Sequence, residues 1–231
     1  MRTVNITCEN THQEYEIELG TTLRDVKKII FPENHNHILG ALVNNQLQDL
    51  QFVVMTPLRV NFIDVTTLDG YSIYSRSLIF VLYQAVAQLF PKKTLRAEYF
   101  ISNGIFCRIV NKEIVLTPKE IIQADYPIVR EEIPTDEAVL IFRKRGLKDK
   151  ADLMETRGKL FTSLYYLNDL PDYFYGTLAP STSCLKTFGL IPYKEGMLLQ
   201  LPDRTDPTRV LPVIPQDKLY QVFSEYKRWG K

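Results

Sequence analysis

The sequence predicts an α+β fold in which a strand-rich N-terminal unit precedes a larger region of mixed helices and strands. Of the 231 residues, 45% are hydrophobic, so the chain can bury a substantial core. Apolar and polar residues alternate through much of the first part of the chain, which is typical of half-buried strands. Residues 76–90 instead carry apolar side chains almost all the way round a helix, which indicates a buried helix.

The first 63 residues form one small predicted unit. Alternation predicts strands over residues 3–8 and 14–19, each with one face toward solvent. Thr22 is placed to cap a short helix that follows these strands. We therefore expect a strand pair followed directly by a helix.

The rest of this unit contains shorter strands. Asn44-Asn45 marks a turn between two of them, and residues 58–64 supply a longer last strand. Two strands, a helix and further strands is the order of a β-grasp fold. The run ALVNNQLQDL, with its Asn-rich turn and terminal Asp-Leu, resembles the TGS domain at the front of threonyl-tRNA synthetases. That resemblance implies a binding module.

The middle of the chain begins with the predicted buried helix, which runs from Arg76 to Phe90. Pro91 is expected to end it, because proline disfavours helical backbone in the residue before it. Asn103-Gly104 then lies between two strand-like runs and favours a tight hairpin turn. For this segment we therefore predict a helix with Arg76 in its first turn, followed by a hairpin.

Capping signals predict two further helices. One starts at residues 117–120, where Thr, Pro and Glu occupy favourable first positions. Another opens at residues 135–137 and closes at a basic run before Gly146. Acidic residues at its start and basic residues at its end suit the helix dipole.

The C-terminal part returns to strands and ends in a helix. Strand-like runs cover residues 159–167 and 171–193, and a loop with three prolines follows. Residues 215–229 place apolar side chains at helical spacing, which predicts an amphipathic helix. The expected divisions are a unit at 1–63, a second at 64–200, and a loop and helix at 201–231.

Composition excludes several classes of function. Lys plus Arg total 28 and Asp plus Glu total 27, so no overall charge attracts nucleic acid or membrane. The three histidines all lie before residue 38, so the rest of the chain supplies none for a triad or metal site. No glycine spacing matches a phosphate-binding loop. We expect a cytoplasmic protein with no membrane partner, no catalytic residue and no bound metal in this part of the chain.

The middle region resembles the second additional domain of threonyl-tRNA synthetases, which is shared with alanyl-tRNA synthetases and clears mischarged tRNA. The resemblance covers residues 69–190 and includes DGYSIYSRSLIFVLYQAVAQLFP, YFISNGIF and PDYFYGTLAPSTSCLKTFGL. Members of that family carry an HxxxH pair on the long helix, and a Cys with a His four residues later. These four side chains form a metal-type editing site.

In this chain the four metal-site positions hold other residues, namely Arg76, Phe80, Phe174 and Leu178. One cation and three apolar groups cannot donate lone pairs to zinc or activate water. The resemblance therefore implies a degenerate editing domain without metal-assisted deacylation.

Arg76 and the nearby polar residues that match the family pattern are candidates for a remaining cleft. They are Arg76, Asn103, Asp172, Ser181, Thr182 and Lys186. One hypothesis is that Arg76 pairs with Asp172 or binds an anionic ligand. The alternative is that Phe80, Phe174 and Leu178 have filled the cleft and that Arg76 points to solvent.

One basic stretch is a candidate for RNA contact through phosphates. Its residues are Arg143, Lys144, Arg145, Lys148 and Lys150, with Arg157 and Lys159 following. The alternative is ordinary helix termination and solvated helix faces, because acidic residues are interleaved with these cations.

The two-part arrangement is similar to the N-terminal region of bacterial uridine kinase-like proteins, in the phosphoribulokinase and uridine kinase family. That resemblance implies a non-catalytic regulatory or ligand-binding region, whose partner is a downstream kinase domain that would use ATP and magnesium. The alternative is a tRNA-binding or other RNA-binding protein derived from a threonyl-tRNA synthetase N-terminal region. A trans-editing deacylase with a relocated site is a third hypothesis.

Overall fold

The computed structural model describes residues 2–33, 37–90, 93–109 and 122–229. The predicted α+β class is confirmed, because helices and several sheets coexist in one chain. The helix start predicted at residues 117–120 lies outside the described residues.

The N-terminal unit is a five-stranded sheet covered by one helix. Its elements are β1 (Thr3–Cys8), β2 (Gln13–Glu18), α1 (Leu23–Ile30), β3 (Gly40–Val43), β4 (Gln46–Gln48) and β5 (Leu58–Ile63). The strand order is β2-β1-β5-β3-β4, with β1 parallel to β5 and the other pairs antiparallel. This order is the one expected of a β-grasp.

Local signals in this unit act as the sequence predicts. The Thr22 side chain accepts a hydrogen bond from the backbone N–H of Asp25 and caps α1. Asn44 and Asn45 have φ angles of 47° and 66°, the left-handed backbone that a tight β3–β4 turn requires. Asparagine tolerates that backbone better than most residues do.

The second region surrounds one long central helix with two antiparallel sheets. One sheet has the order β11-β12-β7-β6 and the other β10-β9-β8. The strands are β6 (Leu95–Ile101), β7 (Gly104–Ile109), β8 (Ile128–Pro134), β9 (Phe161–Leu167), β10 (Leu170–Asp172), β11 (Gly189–Tyr193) and β12 (Gly196–Gln200). The helices are α2 (Leu68–Leu89), α3 (Thr135–Lys144), α4 (Lys148–Thr156) and α5 (Asp217–Trp229).

The predicted start of α2 was wrong. The helix begins at Leu68, where the Thr67 side chain accepts a hydrogen bond from the N–H of Gly70. A side chain at Gly70 would place Cβ 1.7 Å from the carbonyl oxygen of Asp64, so only glycine fits here. Arg76 consequently lies inside the helix, and the argument that the N-terminal dipole disfavours a cation there does not apply.

Two other predictions differ from the structure, one in the position of a turn and one in the extent of a strand. The β6–β7 turn is centred on Ser102 and Asn103, with φ angles of 52° and 63°, and Gly104 already belongs to β7. The run 171–193 is not one strand but a mostly irregular segment between β10 and β11. Gly176, whose φ is 115°, and Pro180 lie in this irregular part, and both residue types disfavour a regular strand.

Helix α5 docks on the β6–β7 hairpin through aromatic side chains. The rings of Phe223 and Tyr99 stack with centroids 4.2 Å apart, and Tyr220 meets Phe106 edge-on at 5.7 Å.

The structure contains no helix long and apolar enough to cross a membrane within the part of the chain it describes.

The β-grasp unit packs directly on the second region. Leu39 and Ile63 belong to the same buried cluster as the core of α2. The Arg24 guanidinium donates a hydrogen bond of 3.2 Å to the carbonyl of Pro180, and Arg130 pairs with Asp49 at 2.8 Å.

Candidate functional site

The three apolar residues at the metal-site positions pack together. Phe80 is fully buried, and Leu178 is 2% exposed. The ring of Phe174 tilts against that of Phe80, with centroids 5.2 Å apart. These side chains fill the space with hydrocarbon, which has no lone pairs for a metal.

Arg76, at the first of the four metal-site positions implied by the resemblance, supports a backbone loop. Its Nε and Nη2 donate hydrogen bonds of 3.1 and 3.0 Å to the carbonyl oxygen of Thr177. Its guanidinium lies beside Gly176, where a Cβ would come within 3.1 Å of Arg76 Cζ. The side chain is half-buried, and burial lowers the pKa of Arg76.

The proposed pair between Arg76 and Asp172 is therefore wrong, and so is the alternative that Arg76 points to solvent. The carboxylate of Asp172 forms an ion pair with Lys150 and accepts a hydrogen bond of 2.7 Å from the N–H of Tyr173. Asp172 is 2% exposed. Burial raises the pKa of Asp172, while the Lys150 ammonium opposes that shift.

The Lys150–Asp172 pair lies in the wall of an open cavity of about 550 Å³. The cavity is bounded by α2, β6, the start of α4 and α5, and most of its surface is apolar. The Lys150 ammonium also lies 5.0 Å from the centre of the Tyr83 ring. A cavity of this size with a few polar groups is the usual form of a small-molecule site.

The other candidate cleft residues do not converge on this cavity. Asn103 donates to the carbonyl of Pro212 at 3.0 Å, and Lys186 is exposed at a separate depression. Thr182 is fully buried, and its hydroxyl accepts a hydrogen bond from the N–H of Tyr126. Ser181 contacts the hydroxyl of Ser183 at 3.0 Å. Asn103, Ser181 and Thr182 thus form hydrogen bonds within loops, whereas Lys186 lines the separate depression.

The predicted RNA-contact stretch is divided by the fold. Arg145 donates to the carbonyl of Pro171, Lys150 pairs with Asp172, and Arg143 pairs with Glu155 at 2.5 Å. Arg145 and Lys150 thus turn inward, because α3 and α4 pack beside β10. Lys144 and Lys148 are exposed.

A separate groove, which the sequence did not indicate, is also lined by Phe174. It encloses about 290 Å³ between β8, β9 and the loop at residues 173–177. Its basic residues are Arg130, Arg157 and Lys159, and Glu132 is acidic. Two exposed aromatic rings, Tyr175 and Phe161, also line it.

Part of this groove had a signal in the sequence. Arg157 and Lys159 belong to the basic stretch, and Tyr175 belongs to the run between β10 and β11. Their meeting depends on how β9 and that loop pack, which the sequence pattern does not show. The described residues hold no group of three His, Cys, Asp or Glu side chains suited to a metal ion.

Comparison with known proteins finds distant similarity between this chain and part of threonine–tRNA ligases. The chain is 25% identical over 184 residues to a threonine–tRNA ligase of Francisella tularensis subsp. holarctica strain OSU18. It is 26% identical over the same length to that of subsp. tularensis strain FSC 198. Each match covers 76% of this chain and 29% of the ligase. No family model matches the chain.

Proposed function

We propose that this chain is a non-catalytic RNA-binding region with tRNA as its ligand. The observation that carries the proposal is the filled metal site: Phe80 and Leu178 are buried, and Arg76 bonds to a backbone carbonyl. The similar proteins are named as ligases of threonine to tRNA. A related scaffold that lacks the ligands for hydrolysis can still bind the same class of nucleic acid.

Local charge supports this proposal better than overall charge does. Lys144 and Lys148 are exposed where α3 ends and α4 begins, and Lys159 is exposed near the start of α3, where the N–H of Thr135 bonds to the carbonyl of Leu160. Contacts between such lysines and phosphates release counterions, so binding should weaken steeply with salt.

The test is a filter-binding titration of unfractionated tRNA at several salt concentrations. We expect log K to fall linearly with log salt, and Lys144→Gln with Lys148→Gln to reduce the slope by about 2. Lys218→Gln, an exposed lysine on α5, is the matched control and should leave the slope unchanged. Binding that is absent or independent of salt would contradict the proposal, as would hydrolysis of mischarged tRNA by the chain.

The open cavity favours a second candidate function, a regulatory region that binds a small ligand. Its Lys150–Asp172 pair offers a donor and an acceptor within apolar walls. The position ahead of a uridine kinase-like domain, with its ATP and magnesium, remains a prediction. Calorimetric titration with uridine tests this candidate, and absence of heat with both wild type and Asp172→Asn would count against it.

A further inference from the structure

The groove beside the filled site carries two large aromatic rings that the fold leaves open to solvent. Tyr175 is 85% exposed and Phe161 is 56% exposed, and both line the groove. Aromatic side chains bury large areas when they can, so two exposed rings facing one depression indicate a contact surface.

The charges around these rings are mainly positive. Lys159 is exposed and Arg157 is half-buried, with its guanidinium 5.0 Å from the centre of the Tyr173 ring. Arg130 is already paired with Asp49, and Glu132 is the acidic member of the lining. Arg157 also donates a hydrogen bond to the hydroxyl of Tyr173. Arg157 and Lys159 are therefore the groove cations that form no ion pair with an acid among the described residues.

The loop that carries Tyr175 is held in place by hydrogen bonds from Arg76 of α2. Arg76 binds the Thr177 carbonyl through two nitrogens and packs against Gly176, whose φ of 115° favours glycine. Thr177 and Leu178 are both buried. Tyr175 is thus presented by a fixed turn, so little conformational entropy is lost when a ligand stacks on its ring.

We propose that this groove binds unpaired nucleotides of RNA, which stack on Tyr175 and Phe161 while Lys159 and Arg157 contact the adjacent phosphates. Exposed rings interleaved with cations are the arrangement that single-stranded nucleic acid recognises, because unpaired bases present their faces. Bases in a duplex are stacked on one another and cannot do so. This inference rests on the proposed function in one respect, that the ligand is RNA.

The test is fluorescence anisotropy with a labelled oligouridylate of about ten nucleotides, compared with a hairpin RNA of the same length. Tyr175→Ala is expected to weaken oligouridylate binding about tenfold, and Tyr175→Trp to preserve it. The matched control is Phe100→Ala, which removes a ring that is 52% exposed on β6, away from the groove lining. It should bind like wild type.

Salt dependence separates the roles of rings and cations. Lys159→Gln should reduce the slope of log K against log salt by about 0.7, whereas Tyr175→Ala should lower affinity at every salt concentration without changing the slope. Equal binding by wild type and Tyr175→Ala, or tighter binding of the hairpin, would overturn the inference.

The two proposals fail in different ways. If wild type binds tRNA with a salt-dependent affinity but Tyr175→Ala has no effect on oligouridylate, the groove inference is wrong and the proposed function stands. If neither tRNA nor oligouridylate binds, both are wrong. Capture of a protein instead of RNA by this surface, with no oligouridylate binding, would also overturn the inference.

Discussion

Phe174 lies between two regions that differ in packing: one is filled by apolar side chains and the other is an open cavity. On one side its ring packs on Phe80, and the metal-site positions are filled. On the other side it lines the open cavity that contains Lys150 and Asp172. The filled side contains the cation Arg76, which is bound to a backbone carbonyl, whereas the open side contains the cation Lys150, which is paired with an acid.

The difference shows how apolar packing and charge compensation act in adjacent parts of one fold. Apolar replacements on the filled side bury each other, which stabilises the fold and removes the space. The acid on the open side is held by Lys150 and the N–H of Tyr173, so its charge is compensated without filling the cavity. The following predictions test this contrast, from the largest expected effect to the smallest.

The largest effect should come from emptying the filled side. Phe80→Ala removes a fully buried ring and leaves a cavity, so it should lower the free energy of unfolding by about 3 to 5 kcal/mol. Urea denaturation measures the change. Phe100→Ala, which removes a half-exposed ring, should cost about 0.5 kcal/mol or less. Equal effects of the two variants would contradict a packed core around Phe80.

On the open side, removing the partner of a buried charge should have an intermediate effect. Lys150→Met leaves Asp172 without its cation and should lower the free energy of unfolding by about 2 kcal/mol at neutral pH. The double variant Lys150→Met with Asp172→Asn should recover part of that loss. No recovery in the double variant would mean that Lys150 stabilises through packing alone.

The pH dependence of the Lys150→Met variant follows from Asp172. Burial raises the pKa of Asp172 in the folded chain above its ordinary value near 3.9. The folded state therefore takes up this proton at higher pH than the unfolded state does, and protonation removes the unpaired charge. The loss caused by Lys150→Met should be smaller at about pH 5 than at about pH 7.5, measured by urea denaturation at each pH.

The smallest effect should come from the remaining cation of the filled side. Arg76→Met keeps the length of the side chain but removes both hydrogen bonds to Thr177, so unfolding should become easier by about 1.5 kcal/mol. Arg59→Met breaks an ion pair with Glu9 whose arginine side chain is 71% exposed, and should cost less than about 0.5 kcal/mol. Thermal denaturation of both variants distinguishes a supporting arginine from a surface one.

Much of the fold could be predicted from local chemistry. The alternation in β1 and β2, the Thr22 cap and the Asn44-Asn45 turn each depend on neighbours in sequence, and the structure contains them as expected. The start of α2 was missed because Gly70 is a poor helix residue. Glycine is required at this position because the carbonyl oxygen of Asp64 lies too close for a side chain, and that approach depends on tertiary packing.

The candidate site shows the same distinction between what local chemistry decides and what tertiary packing decides. The sequence by itself determined that no metal ligand stands at Arg76, Phe80, Phe174 and Leu178, because residue type alone decides whether a lone pair is available. Only the tertiary structure decided that Asp172 pairs with Lys150 and that Tyr175 meets Lys159 in one groove. Such partners lie far apart in the chain, and they are brought together by the packing of α4, β9 and β10, which no local pattern specifies.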